Sequence, residues 1–116
     1  MGTVRILRVY DDGAPGELRV LVDRLWPRGV KKERVDLWLK DAAPSPELRI
    51  FFDHRAERFA EFAAAYRAEL ADNPAVDQIR ELARDQDVAL VYGARDPAIN
   101  HAVVLLAAVE DAAQQG

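Results

Sequence analysis

The chain has 116 residues, of which 50% are hydrophobic and 31% are charged, and its formal net charge is -4. This length suits one domain, and the composition is that of a folded globular protein, which argues against disorder. The sequence has no cysteine, which excludes disulfides, thiolate metal sites and cysteine nucleophiles.

The sequence shows neither a membrane span nor a signal peptide. No apolar run approaches the roughly 18 residues of a membrane-spanning helix. Residues 3–6 alternate in polarity instead of forming the apolar core of a signal peptide. We therefore expect a cytoplasmic protein that has no membrane partner.

The charge is distributed unevenly along the chain. Residues 24–34 hold five basic residues and one acidic residue, a formal +4, whereas the rest of the chain carries -8. A basic segment on an acidic body can attract a small anion, a nucleic-acid phosphate or an acidic protein, although the acidic remainder weakens long-range attraction to DNA. A solvated charged surface without any partner is the plain alternative.

Two strands are predicted near the start of the chain. Residues 3–10 alternate between apolar and polar side chains and include β-branched residues, which is typical of a strand. Residues 18–23 form the second strand, and the turn formers at residues 11–16 connect the two. Because this connection is too short for a helical crossover, we expect the two strands to pair antiparallel.

A short amphipathic helix is predicted after the second strand, over residues 31–41. Val35, Trp38 and Leu39 fall at helical spacing there, with charged residues between them. This pattern places Trp38 in the core.

Three further helical segments are predicted in the middle of the chain. Ser45 supplies a capping hydroxyl for a brief helical turn that ends near Phe52. Residues 55–70 carry an aromatic stripe at intervals of three and four, which indicates a helix with a buried face. Asn73 is the predicted cap of the next helix, over residues 74–83.

The last strand and helix complete the predicted fold. Residues 88–92 are apolar without alternation, which indicates a central buried strand. Residues 99–112 form a closing helix, so Asn100 and His101 lie at the helix end where unpaired N–H groups favour anions. The elements predict a single α/β domain over residues 1–116, in two or three layers, with a small mixed sheet of about three strands and four to five helices.

Polar residues follow the second and third predicted strands, at the point where ligands bind in open α/β sheets. If these strands run parallel, the fold brings to one cleft Arg24, Arg28, Arg95, Asn100 and His101. The arginines offer planar donor groups that suit a carboxylate or a phosphate. Asp23 would orient an arginine or act as a base, unless it only forms a structural ion pair with Arg24.

His54 and His101 are the two histidines of the chain. Either can transfer a proton near neutral pH, and His101 is the better candidate for a catalytic role because of its place at a helix end. The alternative is a histidine that only hydrogen-bonds a backbone carbonyl. Their spacing matches no metal motif, and no phosphate-binding glycine loop or dinucleotide fingerprint is present, so we predict no metal and no cofactor.

Three ordered motifs resemble a known family. They are Val22-Asp23-Arg24-Leu25-Trp26-Pro27-Arg28-Gly29, Trp38-Leu39-Lys40-Asp41-Ala42-Ala43-Pro44-Ser45, and Tyr92-Gly93-Ala94-Arg95-Asp96 followed by Asn100-His101-Ala102. Their combination over nearly the whole chain resembles the small bacterial proteins of domain of unknown function 488, the YeaO-like group. The resemblance implies a compact cytoplasmic α/β protein and brings no established activity with it. The family's motif positions fall here on Asp23, Arg24, Trp26, Pro27, Arg28, Gly29, Trp38, Asp41, Pro44, Ser45, His54, Asn100 and His101.

Our first functional hypothesis is a site for an anionic small molecule, and whether this site is enzymatic stays open. Arg24 and Arg28 clamp the anion, Asn100 orients it and His101 moves a proton. The predicted catalytic residues are His101 and Asp23, and the predicted ligand-binding residues are Arg24, Trp26, Arg28, His54, Arg95 and Asn100.

The second hypothesis is a nucleic-acid or protein adaptor that uses the basic segment at residues 24–34, with Trp26 as a stacking residue. We prefer the first because the polar residues converge on one edge and the body is acidic. A third reading is that all these residues are structural. The nearly all-apolar last helix is compatible with either a monomer or a homodimer.

Overall fold

A computed structural model describes residues 2–115 of the chain, and the surroundings of side chains for residues 2–112. Met1 and Gly116, which the predicted domain of residues 1–116 includes, lie outside the described residues. This range contains four strands and four α-helices, which confirms the predicted α/β class.

The sheet is parallel throughout. Its strands are β1 (Val4–Arg8), β2 (Leu18–Leu21), β3 (Leu37–Trp38) and β4 (Val88–Tyr92). Their order across the sheet is β1-β4-β2-β3, and every pair is parallel. All residues of β4 are buried, as expected for a central strand that is covered on both faces. The sheet is therefore not mixed, and over the described residues it has one strand more than predicted.

The predicted antiparallel pairing of the first two strands is wrong. β4 lies between β1 and β2, and both strands run parallel to it. The chain returns from β1 to β2 over the sheet face that carries Val9 and Leu21. Arg19 of β2 holds this return, because its guanidinium donates to the carbonyl oxygens of Val9 at 2.8 Å and Asp11 at 3.0 Å. The connection is too short for a helical crossover, but parallel strands do not require a helix between them. Here an irregular segment makes the crossover.

Helices cover one face of the sheet, and irregular segments cover the other. The helices are α1 (Pro46–Phe52), α2 (Phe59–Ala71), α3 (Ala75–Leu82) and α4 (His101–Gln115). Val20 and Leu90 face these helices in the larger core. Leu21 and Val91 point the opposite way, where Val30 and Val35 pack against their cluster. No helix among the described residues is both long and apolar enough to cross a membrane.

The helix predicted over residues 31–41 is wrong. Two short 3-10 turns, Lys32–Arg34 and Lys40–Ala42, flank strand β3 instead. Val35 packs against the smaller cluster on one sheet face, whereas Leu39 packs against the core on the other. The helical spacing of these apolar residues therefore comes from a chain that passes around the edge of the sheet. Trp38 is 38% exposed, so its predicted place in the core is also wrong.

The remaining helices match their predictions to within a few residues. Ser45 caps α1 and accepts a hydrogen bond from the Leu48 N–H at 3.3 Å. The aromatic stripe of α2 is buried at Phe62 and Tyr66. Asn73 accepts a hydrogen bond from the Ala75 N–H at 2.9 Å and so supports the start of α3.

Candidate functional site

The ends of β2 and β4 are joined directly, because parallel neighbours finish at the same edge of the sheet. The N–H of Gly93, just after β4, donates to Oδ2 of Asp23, just after β2, at 2.9 Å. A Cβ atom on Gly93 would lie 3.2 Å from this oxygen and 3.2 Å from Cβ of Pro27. Glycine is therefore the residue that lets the two strand ends approach this closely.

His101, the first residue of α4, contacts the same strand end. Its Nε2 lies 3.0 Å from Oδ1 of Asp23 and 3.1 Å from the carbonyl oxygen of Val22. A carbonyl oxygen only accepts, so Nε2 carries a hydrogen. That hydrogen points at Val22, since Oδ1 of Asp23 is buried and receives no aligned hydrogen bond from a described residue. The Asp23 contact is thus a close approach and not a well-formed hydrogen bond.

The ion pair between Asp23 and Arg24, which was the structural alternative to a binding role, does not form among the described residues. Asp23 contacts His101 instead, and Arg24 turns toward the segment before α1. Its Nε donates to the Pro44 carbonyl at 3.3 Å and its Nη2 to the Ala43 carbonyl at 3.4 Å. Both bonds are long for N–H···O geometry, so the guanidinium keeps donor capacity for a ligand.

The segment that receives Arg24 is fixed by side chains from the helices. The Tyr66 hydroxyl donates to the buried Ala42 carbonyl. Burial raises the pKa of Tyr66, so this hydroxyl remains a donor. Ser45 bonds Glu69 through both its N–H, at 2.9 Å, and its hydroxyl, at 2.6 Å. The segment therefore forms a rigid wall at one side of the site.

His54 reaches the site through an uncommon backbone conformation. Asp53 and His54 follow α1 and have φ angles of 44° and 55°, in the left-handed region. Each such non-glycine residue costs about 1–2 kcal/mol. This turn places His54 in the lining of a cavity near the strand ends. A strained turn that presents a histidine to a cavity is a pattern often found at functional sites.

The residues after β2 and β4, the segment before α1, the turn after α1 and the start of α4 enclose a cavity of about 150 Å³, which we call the inner cavity. Its polar lining consists of Asp23, Arg24, Arg49, His54, Asn100 and His101. Pockets for drug-sized ligands span about 300–1,000 Å³, so this cavity suits a single small group such as phosphate or carboxylate.

An open groove of about 560 Å³ continues from the inner cavity, and we call it the outer groove. Both share Asp23, Leu25, His54 and Ala94. The residues that line the two spaces include four arginines, at positions 24, 28, 49 and 95, and two aspartates, at 23 and 96. With neutral histidines the site has a formal charge of +2, although the whole chain carries -4.

A pair of tryptophans borders this region. Trp26 lines the outer groove, and its ring packs edge-on against Trp38 with the ring centroids 5.4 Å apart. Trp26 Nε1 donates to the Val30 carbonyl at 2.8 Å. Trp38 Nε1 donates to the carbonyl of Asp23 at 2.7 Å, which ties the pair to the site.

The structure places every predicted site residue in one of the two spaces. Asp23, Arg24, His54, Asn100 and His101 line the inner cavity, and Trp26, Arg28 and Arg95 line the outer groove. Asn100 also serves the fold. It is fully buried, its Nδ2 donates to the Asp96 carbonyl at 2.8 Å, and its Oδ1 accepts from the Val103 N–H at 3.1 Å, so it caps α4.

The sequence analysis missed Arg49, which lines the inner cavity from α1. A signal was present, because Arg49 precedes the buried Phe52 by one helical turn and so lies on the same helix face. Within the described part of the chain, no group of three or more His, Cys, Asp or Glu residues could hold a metal ion.

The fold and the site define a class of small parallel α/β protein with a positively charged cleft at the carboxyl ends of its central strands. Residues 3–116 match the family described as the inactive DUF488-N3 subclade, and the chain belongs to this family. It is 48% identical over 105 residues to an uncharacterized protein of Mycobacterium tuberculosis H37Rv, with 88% of this chain and 89% of the relative covered. It is 40% identical over 106 residues to the uncharacterized protein YeaO of Escherichia coli K12, with 88% and 92% covered. No solved structure matches the chain.

Proposed function

We propose that this protein binds a small oxyanion, a phosphate or carboxylate group, in the inner cavity. The observation that carries the proposal is that Arg24, Arg49 and His101 line one cavity of about 150 Å³ at the start of α4. Guanidinium groups pair with oxyanions through charge-assisted hydrogen bonds. The helix dipole at the start of α4 favours negative charge in the same place.

Arg24 is the central residue in this proposal. Its two long bonds to the Ala43 and Pro44 carbonyls hold the guanidinium in position without using all of its donors. An anion that pairs with it therefore meets a side chain whose freedom is already restricted, which lowers the entropy lost on binding. Arg49 is exposed and adds a second positive charge from α1.

Binding, and not turnover, is the activity that we propose. The family to which the chain belongs is described as an inactive subclade. Asp23 uses its carboxylate on the Gly93 N–H and on the contact with His101, which supports a positioning role for both residues. Ser45 is committed as the α1 cap and as a donor to Glu69, which leaves it poorly suited as a nucleophile. The catalytic roles of His101 and Asp23 stay predictions.

The adaptor hypothesis has less support from the basic segment at residues 24–34. Arg34 is tied to Asp12 at 3.0 Å and to the Tyr10 carbonyl at 2.7 Å. Arg24 turns into the inner cavity. Two of the five basic residues are thus engaged with the protein itself, and nucleic-acid or protein binding through this segment stays a prediction.

Isothermal titration calorimetry with inorganic phosphate and with acetate tests the proposal. We expect Arg24→Gln to weaken binding of the preferred anion about tenfold, since a charge-assisted hydrogen bond is worth roughly 1.5–3 kcal/mol. Arg80→Gln is the matched control. It removes the same charge from α3, beside Thr3 and Val4 at the other end of the sheet, and should leave affinity unchanged. Absence of binding to both anions, or equal affinity in wild type and Arg24→Gln, contradicts the proposal.

A further inference from the structure

We infer that the anion bound here is the phosphate of a free monoester whose organic part carries a flat aromatic ring, with that ring stacked on Trp26. This inference rests on the proposed function, because the phosphate occupies the inner cavity. The shape of the cleft is the first support. The inner cavity holds one small group, and the outer groove that continues from it has room for a larger organic body.

Trp26 supplies the second support, because it is an exposed aromatic side chain held in a fixed orientation. Its ring is 37% exposed and lines the outer groove. The hydrogen bond from Nε1 to the Val30 carbonyl and the edge-on contact with Trp38 restrain it. A pre-positioned indole loses little entropy when a flat ring stacks on it.

The surroundings of Trp26 favour a ring over a flexible polar body. Pro27 is buried beside it and Ile99 is partly buried, so this part of the outer groove has apolar walls. Trp38 packs against the ring of Trp26 and also donates to the carbonyl of Asp23, so one residue contacts both the stacking surface and the anion site. A phosphate ester without a ring would leave this apolar surface in water.

Calorimetry with four probes tests the inference: inorganic phosphate, adenosine 5′-monophosphate, glucose 6-phosphate and adenosine. Glucose 6-phosphate and the nucleotide both carry a phosphate monoester on a sugar, and only the nucleotide carries an aromatic ring. We expect the nucleotide to bind at least about tenfold more tightly than glucose 6-phosphate, given the usual contribution of a stacked base. Adenosine, which lacks the phosphate, should bind at least about tenfold more weakly than the nucleotide.

Variants then assign the preference to Trp26. Trp26→Ala should remove the preference for the nucleotide and leave the affinity for inorganic phosphate within about twofold, whereas Trp26→Phe should retain part of the preference. Phe51→Ala is the matched control, since Phe51 is also 37% exposed, lies on α1 and packs beside Arg58. Phe51→Ala should change neither the affinity for inorganic phosphate nor the preference for the nucleotide.

The outcomes separate this inference from the proposed function. If inorganic phosphate binds and the two esters bind equally, the aromatic ligand is wrong and the anion site stands. If the preference for the nucleotide survives in Trp26→Ala, the stacking role of Trp26 is wrong. If none of the phosphate probes binds the wild-type protein, this inference fails, and the proposed function fails with it if acetate does not bind either. The comparison of the esters needs only the wild-type chain, so an unfolded variant does not block it.

Discussion

Nε2 of His101 lies 3.0 Å from Oδ1 of Asp23, so the first residue of α4 contacts the second residue after β2. Gly93, after β4, donates to the other oxygen of the same carboxylate at 2.9 Å. Asp23 therefore joins two strand ends and one helix start. The shape of the inner cavity depends on this junction, because its polar lining includes both Asp23 and His101.

The contact between Asp23 and His101 should appear as an energetic coupling. We expect the free energies of unfolding of Asp23→Asn, His101→Phe and the double variant to show a coupling of about 0.5–3 kcal/mol, as residues in direct contact do. Urea denaturation of the four proteins measures it. If the two single effects add to within about 0.3 kcal/mol, the contact is not energetically significant.

Gly93→Ala should damage both stability and anion binding. The new Cβ would lie 3.2 Å from Oδ2 of Asp23 and from Cβ of Pro27, so we expect a loss of about 1–3 kcal/mol and a displaced Asp23. Gly29→Ala is the comparison. Gly29 has φ +77° and open space around its Cβ position, so that variant should lose about 1 kcal/mol through strain alone. Calorimetry with phosphate should show weaker binding for Gly93→Ala only, and equal affinity in both variants would contradict the crowding argument.

Glycine substitutions in the strained turn at Asp53 and His54 should distinguish an effect on stability from an effect on binding. Glycine tolerates left-handed φ, so Asp53→Gly should raise the free energy of unfolding by up to about 1 kcal/mol and leave phosphate affinity unchanged. His54→Gly should relieve the same kind of strain but weaken phosphate binding, because His54 lines the inner cavity. Thermal denaturation and calorimetry together test this. A His54→Gly variant that binds phosphate as the wild type does would exclude a binding role for that histidine.

Glu17 should make stability depend on acidic pH. Its carboxylate accepts from Arg5 Nε at 2.6 Å and Nη2 at 2.7 Å, and this hydrogen bonding holds the pKa of Glu17 below its ordinary value. The contribution is complete above the unfolded value of about 4.3 and is lost as pH falls through the lower folded value. Because Arg5 is 47% exposed, we expect Glu17→Gln to cost only about 1 kcal/mol near neutral pH.

The melting temperatures of wild type and Glu17→Gln, measured from pH 7 down to pH 3, test this dependence. The difference between the two melting temperatures should become smaller as the pH falls below about 4. Asp77→Asn is a suitable control, since Asp77 is 82% exposed and pairs with Arg80 at 3.7 Å. A gap for Glu17→Gln that stays constant over this range would contradict the assignment.

Local patterns in the sequence were sufficient where a segment keeps one regular conformation along its length. The aromatic stripe of α2 packs within one cluster, and the uninterrupted apolar run of β4 supplies residues to both clusters, as expected for a strand buried on both faces. The segment at residues 31–41 passes around the sheet edge and places Val35 and Leu39 on opposite faces. Its spacing imitates a helix, so periodicity alone could not identify β3 there.

Long-range pairing was beyond the reach of local pattern. Insertion of β4 between β1 and β2 is decided by contacts far apart in sequence, and the partly buried guanidinium of Arg19 stabilises the irregular return that permits it. Partial burial lowers the pKa of Arg19. The convergence of Arg24 with Asn100 and His101 was nevertheless expected, because β2 and β4 were both assigned as strands that end in polar residues.

The central claim is that a small oxyanion binds between Arg24 and His101, and an NMR titration of the ¹⁵N-labelled protein with inorganic phosphate tests it most directly. We expect saturable shift changes concentrated at the amides of Arg24, Leu25 and His101 and at the His101 imidazole, with little change in the Arg24→Gln variant. Shifts that centre on Lys31 and Lys32 instead, or a spectrum that both inorganic phosphate and acetate leave unchanged, would contradict the account.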